Sequence, residues 1–166
     1  VVPDSIKVQQ YVDELSFFNA DINILQFPDW ETLPYDRFSP YQDIISDRLA
    51  TLAELPELTS GVLVVSASSL QHRVVPREWI AGQTFNLKTS EKFDLEGFQQ
   101  RLIESGYINV PQVMDHGDFA VRGSIIDVFP MGVKAPFRID LFDDEIETLR
   151  IFDTETQRSS ESIEEI

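Results

Sequence analysis

The sequence contains no cysteine. That excludes a disulfide scaffold, a thiolate metal site and a cysteine nucleophile, and it is compatible with a cytosolic setting. No apolar run approaches the ~20 residues that a membrane-spanning helix needs. The opening VVPDSIK has no basic stretch leading into an apolar one, so it does not read as a secretory signal. Basic residues are scarce: 13 Lys and Arg face 29 Asp and Glu, giving a net charge of −16 and a pI near 4.3. Such a surface repels phosphate backbones and disfavours a charge-driven grip on nucleic acid. What is present is material for a core. Apolar residues make up 42% of the 166, with twelve Phe, which rules out wholesale disorder and suffices for one ordinary domain or two small ones. The chain opens without Met, inside what reads as a strand, and is expected to be a piece of something longer.

Both halves are acidic, but their periodicity differs. In the first, Asp4 is placed to cap a helix with an apolar face of Val8, Tyr11, Val12, Leu15 and Phe18. Residues 22–27 (INILQF) form a short apolar strand closed by Pro28, and residues 28–40, with three prolines, an irregular connection. Ser39, Pro40 and Gln42 then suggest a capped helix start, with Ile45, Leu49, Leu52 and Leu55 carrying the helix to Pro56. Residues 61–67 (GVLVVSA) read as a strand covered on both faces. Alternating strands and helices imply part of a parallel α/β sheet. In the second half, Asp94 caps a helix bearing Leu95, Phe98 and Leu102, ended by Gly106. Strands are expected at 118–129, 136–142 and 145–152, joined as antiparallel hairpins. The chain thus reads as α/β then α+β: a partial parallel α/β domain over residues 1–84 and a small antiparallel-sheet-plus-helix module over 85–166, with the boundary near Thr84.

Catalytic patterns are lacking. A Walker A loop needs glycines followed by Lys at a helix start, and no Gly-Lys pair occurs. The strand running into carboxylates at 139–145 (IDLFDDE) is better explained as an acidic hairpin turn than as a Mg²⁺ site. There is no G-x-S-x-G elbow, and the two histidines, His72 and His116, cannot build a typical zinc site without cysteine. His116, in DHGDF, is expected in a solvated turn, and Trp30 and Trp79 in loop packing. No catalytic, cofactor-binding or metal residue is assigned.

Parity along the later strands is more informative, because side chains alternate between faces. Phe119, Val121, Ile125, Phe129, Phe137, Ile139, Leu141, Leu149 and Ile151 are apolar and odd-numbered, Asp127 being the exception, and are expected to cover the helix face. The even set of Arg122, Ser124, Ile126, Val128, Arg138, Asp140, Phe142, Thr148, Arg150 and Phe152 forms an outer surface, provided no bulge at Gly123 intervenes. Arginine and aromatic residues together are the types enriched at protein–protein hot spots. The competing expectation is an ordinary solvated face, with Arg138 paired to Asp140 or Glu147.

Four stretches carry a resemblance: FPDWETLPYD (27–36), FSPYQDIISDRL (38–49), HGDFAVRGSIIDVFPMG (116–132) and FRIDLFDDEIETLRIFD (137–153). Together they resemble the amino-terminal region of bacterial transcription-repair coupling factors. The second half is also similar to a domain of the excision-repair protein UvrB, sharing its R-G…D-x-F-P and L-F-D-x-E patterns. The stretch 30–41 is too short for the DNA-clamping hairpin of UvrB, and Walker A is absent; both favour the coupling factors. The resemblance implies a degenerate helicase-like first domain and a UvrB-like second module. It also implies a non-enzymatic, cytoplasmic role in nucleotide excision repair, namely recruitment of UvrA to stalled RNA polymerase. UvrA-contacting residues carry over as Arg122, Arg138 and Phe142. Ala120 and Ile108 or Asn109 stand where UvrB-type sequences often carry arginine, leaving fewer charged anchors. RNA polymerase, DNA, ATP and Mg²⁺ are implied only for other domains of such proteins, and a carboxy-terminal domain is implied to mask this face. Arg138→Glu is expected to abolish UvrA capture while leaving the melting temperature nearly unchanged. The rival class is a helicase or translocase piece with direct nucleotide or DNA binding.

Overall fold

The computed structural model describes residues 1–32, 37, 39–82 and 85–166. These fall into two compact units, Val1–Gly82 and Gln83–Ile166. The boundary expected near Thr84 lies outside the described residues, as do residues 33–36 and 38 of the irregular connection expected over 28–40.

The first unit runs α1 (Ser5–Phe18), β1 (Ile24–Phe27), α2 (Gln42–Glu54), β2 (Val62–Val65) and α3 (Arg77–Gly82). Asp4 caps α1, its carboxylate accepting the Lys7 N–H at 2.9 Å. β1 and β2 pair in parallel from Ile24↔Val62 to Phe27↔Val65, and Val2 bridges Ser66 in the same sense. Val2, Val8 and Val64 form the small core, with Val12, Leu15, Ile24 and Val62 against it. Tyr11 and Phe18, expected on the buried face of α1, are exposed. α1 has 14 residues, or ~21 Å of helix, whereas four-residue strands extend only ~13 Å, so Phe18 at the helix end outruns the sheet; Tyr11 lies at mid-helix, where length does not account for its exposure.

Helix α2 begins later than expected. Tyr41, in an extended conformation, is its N-cap and makes no side-chain cap bond, so Ser39 and Pro40 lie outside the helix. Its fully buried residues are Ser46, Arg48 and Thr51, while Ile45, Leu49, Leu52 and Leu55 are half-buried. The carbonyls at the end of β1 need donors, and α2 supplies them. Thr51 Oγ1 donates to Gln26 O at 2.8 Å and Arg48 Nη1 to Pro28 O at 2.5 Å. The Arg48 guanidinium lies between the rings of Phe27 and Trp30, 4.0 and 3.9 Å from their centroids.

At the carboxyl ends of the two strands, Asp29 accepts from Ser68 Oγ at 2.5 Å, Ser66 Oγ at 3.1 Å and the Trp30 N–H at 2.8 Å. Burial pushes the Asp29 carboxyl up, but these bonds and nearby His72 outweigh it and hold it below its ordinary value. A carboxyl depressed on folding contributes stability that is full above the unfolded value and is lost as pH falls through the folded one. The first unit is therefore expected to lose melting temperature below about pH 4. Asp29→Asn should flatten that acid limb in melting curves between pH 6 and 3; an unchanged limb would exclude Asp29 as its source.

The second unit contains α4 (Leu95–Glu104) and a six-stranded sheet of β3 (Ile108–Asn109), β4 (Asp118–Arg122), β5 (Ile125–Val128), β6 (Phe137–Phe142), β7 (Glu145–Phe152) and β8 (Ser159–Ile163), in that order. All neighbours are antiparallel except β3 and β4. Asp94 caps α4 through the Gly97 N–H at 3.0 Å. The helix ends on Gly106, with φ +87°, where Gly106 N–H bonds Ile103 O and Tyr107 N–H bonds Leu102 O. This is the paired reverse turn of a Schellman motif. Phe98 and Leu102 pack on Phe119, Ile126, Val128, Ile139, Leu141, Ile146 and Leu149 in one cluster.

Residues 118–129, expected as one strand, are instead a hairpin. Arg122 pairs with Ile125 around Gly123-Ser124, and Gly123 has φ +65°. A two-residue loop with Gly first is a favoured hairpin turn because its twist matches that of the strands. The fold-back reverses parity in β5. Ile126 and Val128, expected on the outer face, oppose Val121 and Phe119 and are buried in the core, whereas Ile125 and Asp127 turn outward. A second irregularity, between Asp140 and Leu141 in the β6–β7 pairing, brings even-numbered Ile146 opposite Leu141 and into the core. Strand β8, polar and acidic, carries no apolar alternation to announce it.

Candidate protein-binding surface

The outer face of the sheet is assembled by cross-strand register. Arg122 opposes Ile125, which opposes Asp140; Asp127 opposes Arg138, which opposes Arg150; Phe142 opposes Glu145. The hairpin at Gly123 keeps Arg122 on the same face as Arg138, because the pairing returns Asp127 between them. All three residues expected at the site, Arg122, Arg138 and Phe142, therefore share one face. Their environments differ.

Phe142, at the end of β6, is 73% exposed, an uncommon state for a Phe in an ordered strand. Arg122 is 48% exposed along its side chain, and its Nη2 bonds Asp127 Oδ2. Arg138 is only 15% exposed and makes four hydrogen bonds. Its Nε and Nη2 grip the two oxygens of Asp127 at 2.7 and 2.9 Å, a fork-to-fork pair, and its Nη1 reaches Gln157 O at 3.2 Å and Ser159 Oγ at 3.3 Å. It also lies over the Phe152 ring at 4.8 Å. The hydrogen-bonded Asp127 carboxylate pushes the Arg138 guanidinium above its ordinary value, outweighing burial, and Asp140 adds to the effect.

The partner of Arg138 is thus Asp127, not Asp140 or Glu147. Asp140 instead accepts from Thr148 Oγ1 at 2.9 Å and lies 4.0 Å from Arg150 Nη1. Asp127 is the residue of this face that parity alone misplaced. Its side chain is 1% exposed, and it holds both arginines. The signal was present in the sequence, since a lone carboxylate among core-facing apolar residues contradicts its assigned face, and Gly-Ser inside a strand-like run is a hairpin sign.

One end of this face is covered. Val113, Ala120, Phe129 and Phe152 form a second buried cluster. His116 belongs to its edge, stacked 3.9 Å from Phe129, with its Nε2 2.8 Å from Val133 O, and is half-buried rather than solvated. The opposite end, with Arg122, Phe142 and the Asp143-Asp144 turn, is open. Among the described residues no group of three or more His, Asp and Glu is placed to hold a metal ion, and no helix is long and apolar enough to cross a membrane. A large exposed aromatic on the same face as a charge-paired arginine suits recognition of another protein surface.

A family model described as the UvrB interaction domain matches residues 85–166. Over all 166 residues the chain is 44% identical to a transcription-repair-coupling factor of Escherichia coli, and 40% identical over 169 aligned positions to one of Haemophilus influenzae. A Staphylococcus aureus transcription-repair-coupling factor is 33% identical over 93% of the chain. The chain spans 14%, 14% and 13% of the lengths of these three relatives.

Proposed function

Since the chain belongs to the transcription-repair coupling factor family, with a UvrB interaction domain at residues 85–166, we propose that its second unit binds UvrA. Through that contact it recruits nucleotide excision repair in the cytoplasm to a stalled RNA polymerase. No bond is made or broken by this segment, and no nucleotide is taken up; motor chemistry, polymerase binding and DNA translocation belong to other parts of such proteins. The observation that carries this reading is Phe142, exposed on the same sheet face as Arg122 and Arg138. Phe142 enters an apolar pocket of UvrA as the anchor. Arg122 faces a carboxylate of UvrA, which favours orientation and on-rate, while Arg138, largely buried and bonded to Asp127, orders the face behind it. The net charge of −16 opposes nucleic acid as the partner of this face, whereas its exposed cation suits an acidic protein patch. A carboxy-terminal domain of the longer protein covers the same face until polymerase is engaged.

Phe142→Ala tests the reading without disturbing the core. UvrA affinity, measured by calorimetry on the purified protein, is expected to fall roughly 30-fold or more. The melting temperature should stay within about 2 °C, because an exposed side chain contributes little to stability. Undiminished affinity would sink the assignment of this face.

A further inference from the structure

From the geometry around Asp127 we infer that this buried carboxylate is a positioning residue for the UvrA contact: it fixes the Arg122 guanidinium in its binding orientation before the partner arrives. The inference rests on the reading of the face given above and assigns a role within it to a residue that does not itself reach the partner.

Three observations carry it. Asp127 is 1% exposed, so it is too deep to meet a partner, yet its carboxylate serves two of the face's arginines, Arg122 and Arg138. Arg138 takes the two oxygens as a fork from β6, which locks the carboxylate in one orientation. Arg122 then adds to Oδ2 from β4, and this is the one side-chain hydrogen bond that Arg122 makes among the described residues. Its Nε and Nη1 are left for another acceptor. An arginine so tethered has lost much of its rotamer freedom in the free protein, so less ordering remains to be offset on binding. Asp127 also lies on β5 between Arg122 on β4 and Arg138 on β6, so its charge separates these two cations. Without that charge, Arg122 would swing into solvent, away from its like-charged neighbours.

The test is a double-mutant cycle on UvrA affinity, using Asp127→Asn, Arg122→Ala and the combination, with melting temperatures recorded for each. Asp127→Asn keeps a side-chain acceptor for Arg138 but removes the charge that tethers Arg122. It is expected to weaken UvrA binding roughly tenfold alone and less than about twofold in the Arg122→Ala background, where there is no guanidinium left to position. A residue of purely structural importance would weaken both backgrounds equally, and that result would overturn the inference. So would undiminished binding by Asp127→Asn when Arg122→Ala binds poorly. Undiminished binding by Arg122→Ala would overturn the reading of the face itself and this inference with it. If Asp127→Asn does not fold, the wild-type protein decides the matter. The Arg122 Nε–H order parameter in the free protein, measured by nitrogen relaxation, should exceed about 0.6, and a lower value would overturn the tether.

Discussion

Arg138→Glu is expected to lower the melting temperature of the second unit by more than about 10 °C, so that its loss of UvrA binding reports folding as well as contact. Arg138 is 15% exposed and holds Asp127, itself 1% exposed, through two oxygens. Removing Arg138 leaves the buried Asp127 carboxylate with only the half-exposed Arg122 to compensate it, at a cost approaching the ~3–5 kcal/mol of an unpaired buried charge. Glutamate adds a like charge beside Asp127 and removes the bonds that tie β6 to Gln157 and Ser159. Differential scanning calorimetry of the variant, against Arg138→Met as a volume-matched neutral control, gives the measurement. Arg138→Met should also destabilise, but by less than the glutamate. A melting temperature near wild type for Arg138→Glu would mean that Asp127 and Arg138 are solvated in solution. The sequence alone suggested the opposite use of this substitution, as a clean probe of binding, because alternation assigns a face but not a degree of burial. Phe142→Ala is the cleaner probe.

The same limit explains which parts of the fold were legible. The caps at Asp4 and Asp94 and the glycine end at Gly106 depend on residues within a few positions of each other, and all three occur as read. The hairpin at Gly123 was hidden by the residues around it. DFAVRGSIIDVF is apolar and β-branched on both sides of the turn, so the run looks continuous unless the Gly-Ser pair is weighed above its neighbours. One turn then moved five residues, Ile125 to Phe129, between faces, since the side-chain period of a strand is two. Strand β8 escaped notice for a different reason: SSESI has no apolar alternation, because its strand lies at the edge of the sheet and most of its side chains face water.

For the candidate surface, the shared face was legible and the degree of burial was not. Arg122, Arg138 and Phe142 do share a face, and Arg122 does so only because the hairpin preserves the relation that a simple bulge would have broken. That Arg138 is largely consumed within the protein, while Arg122 and Phe142 remain presented, follows from Asp127, whose position depends on pairing across three strands. In the first unit, the polar buried face of α2 was equally invisible. Burying Arg48 is tolerable only between Phe27 and Trp30 and against Pro28 O, partners some twenty residues away in sequence.

Leu102→Ala is expected to destabilise the second unit by about 2–5 kcal/mol, while UvrA affinity per folded molecule stays unchanged. Leu102 is fully buried on α4 and packs into the cluster of Phe119, Ile126, Ile139 and Leu149, on the side of the sheet away from Arg122 and Phe142. The loss combines the transfer of its buried methyl groups with the cavity left between helix and sheet, which close packing cannot readily collapse. Because the helix covers one face and the candidate surface lies on the other, the two faces should be energetically separable. Denaturant midpoint should fall with Leu102→Ala and hold with Phe142→Ala, and the dissociation constant corrected for folded fraction should do the reverse. A Leu102→Ala protein that is folded at the assay temperature yet binds UvrA tenfold more weakly would show that the α4 side takes part in recognition. In that case the partner surface would wrap the sheet edge, and Phe142 would be one anchor among several rather than the central one.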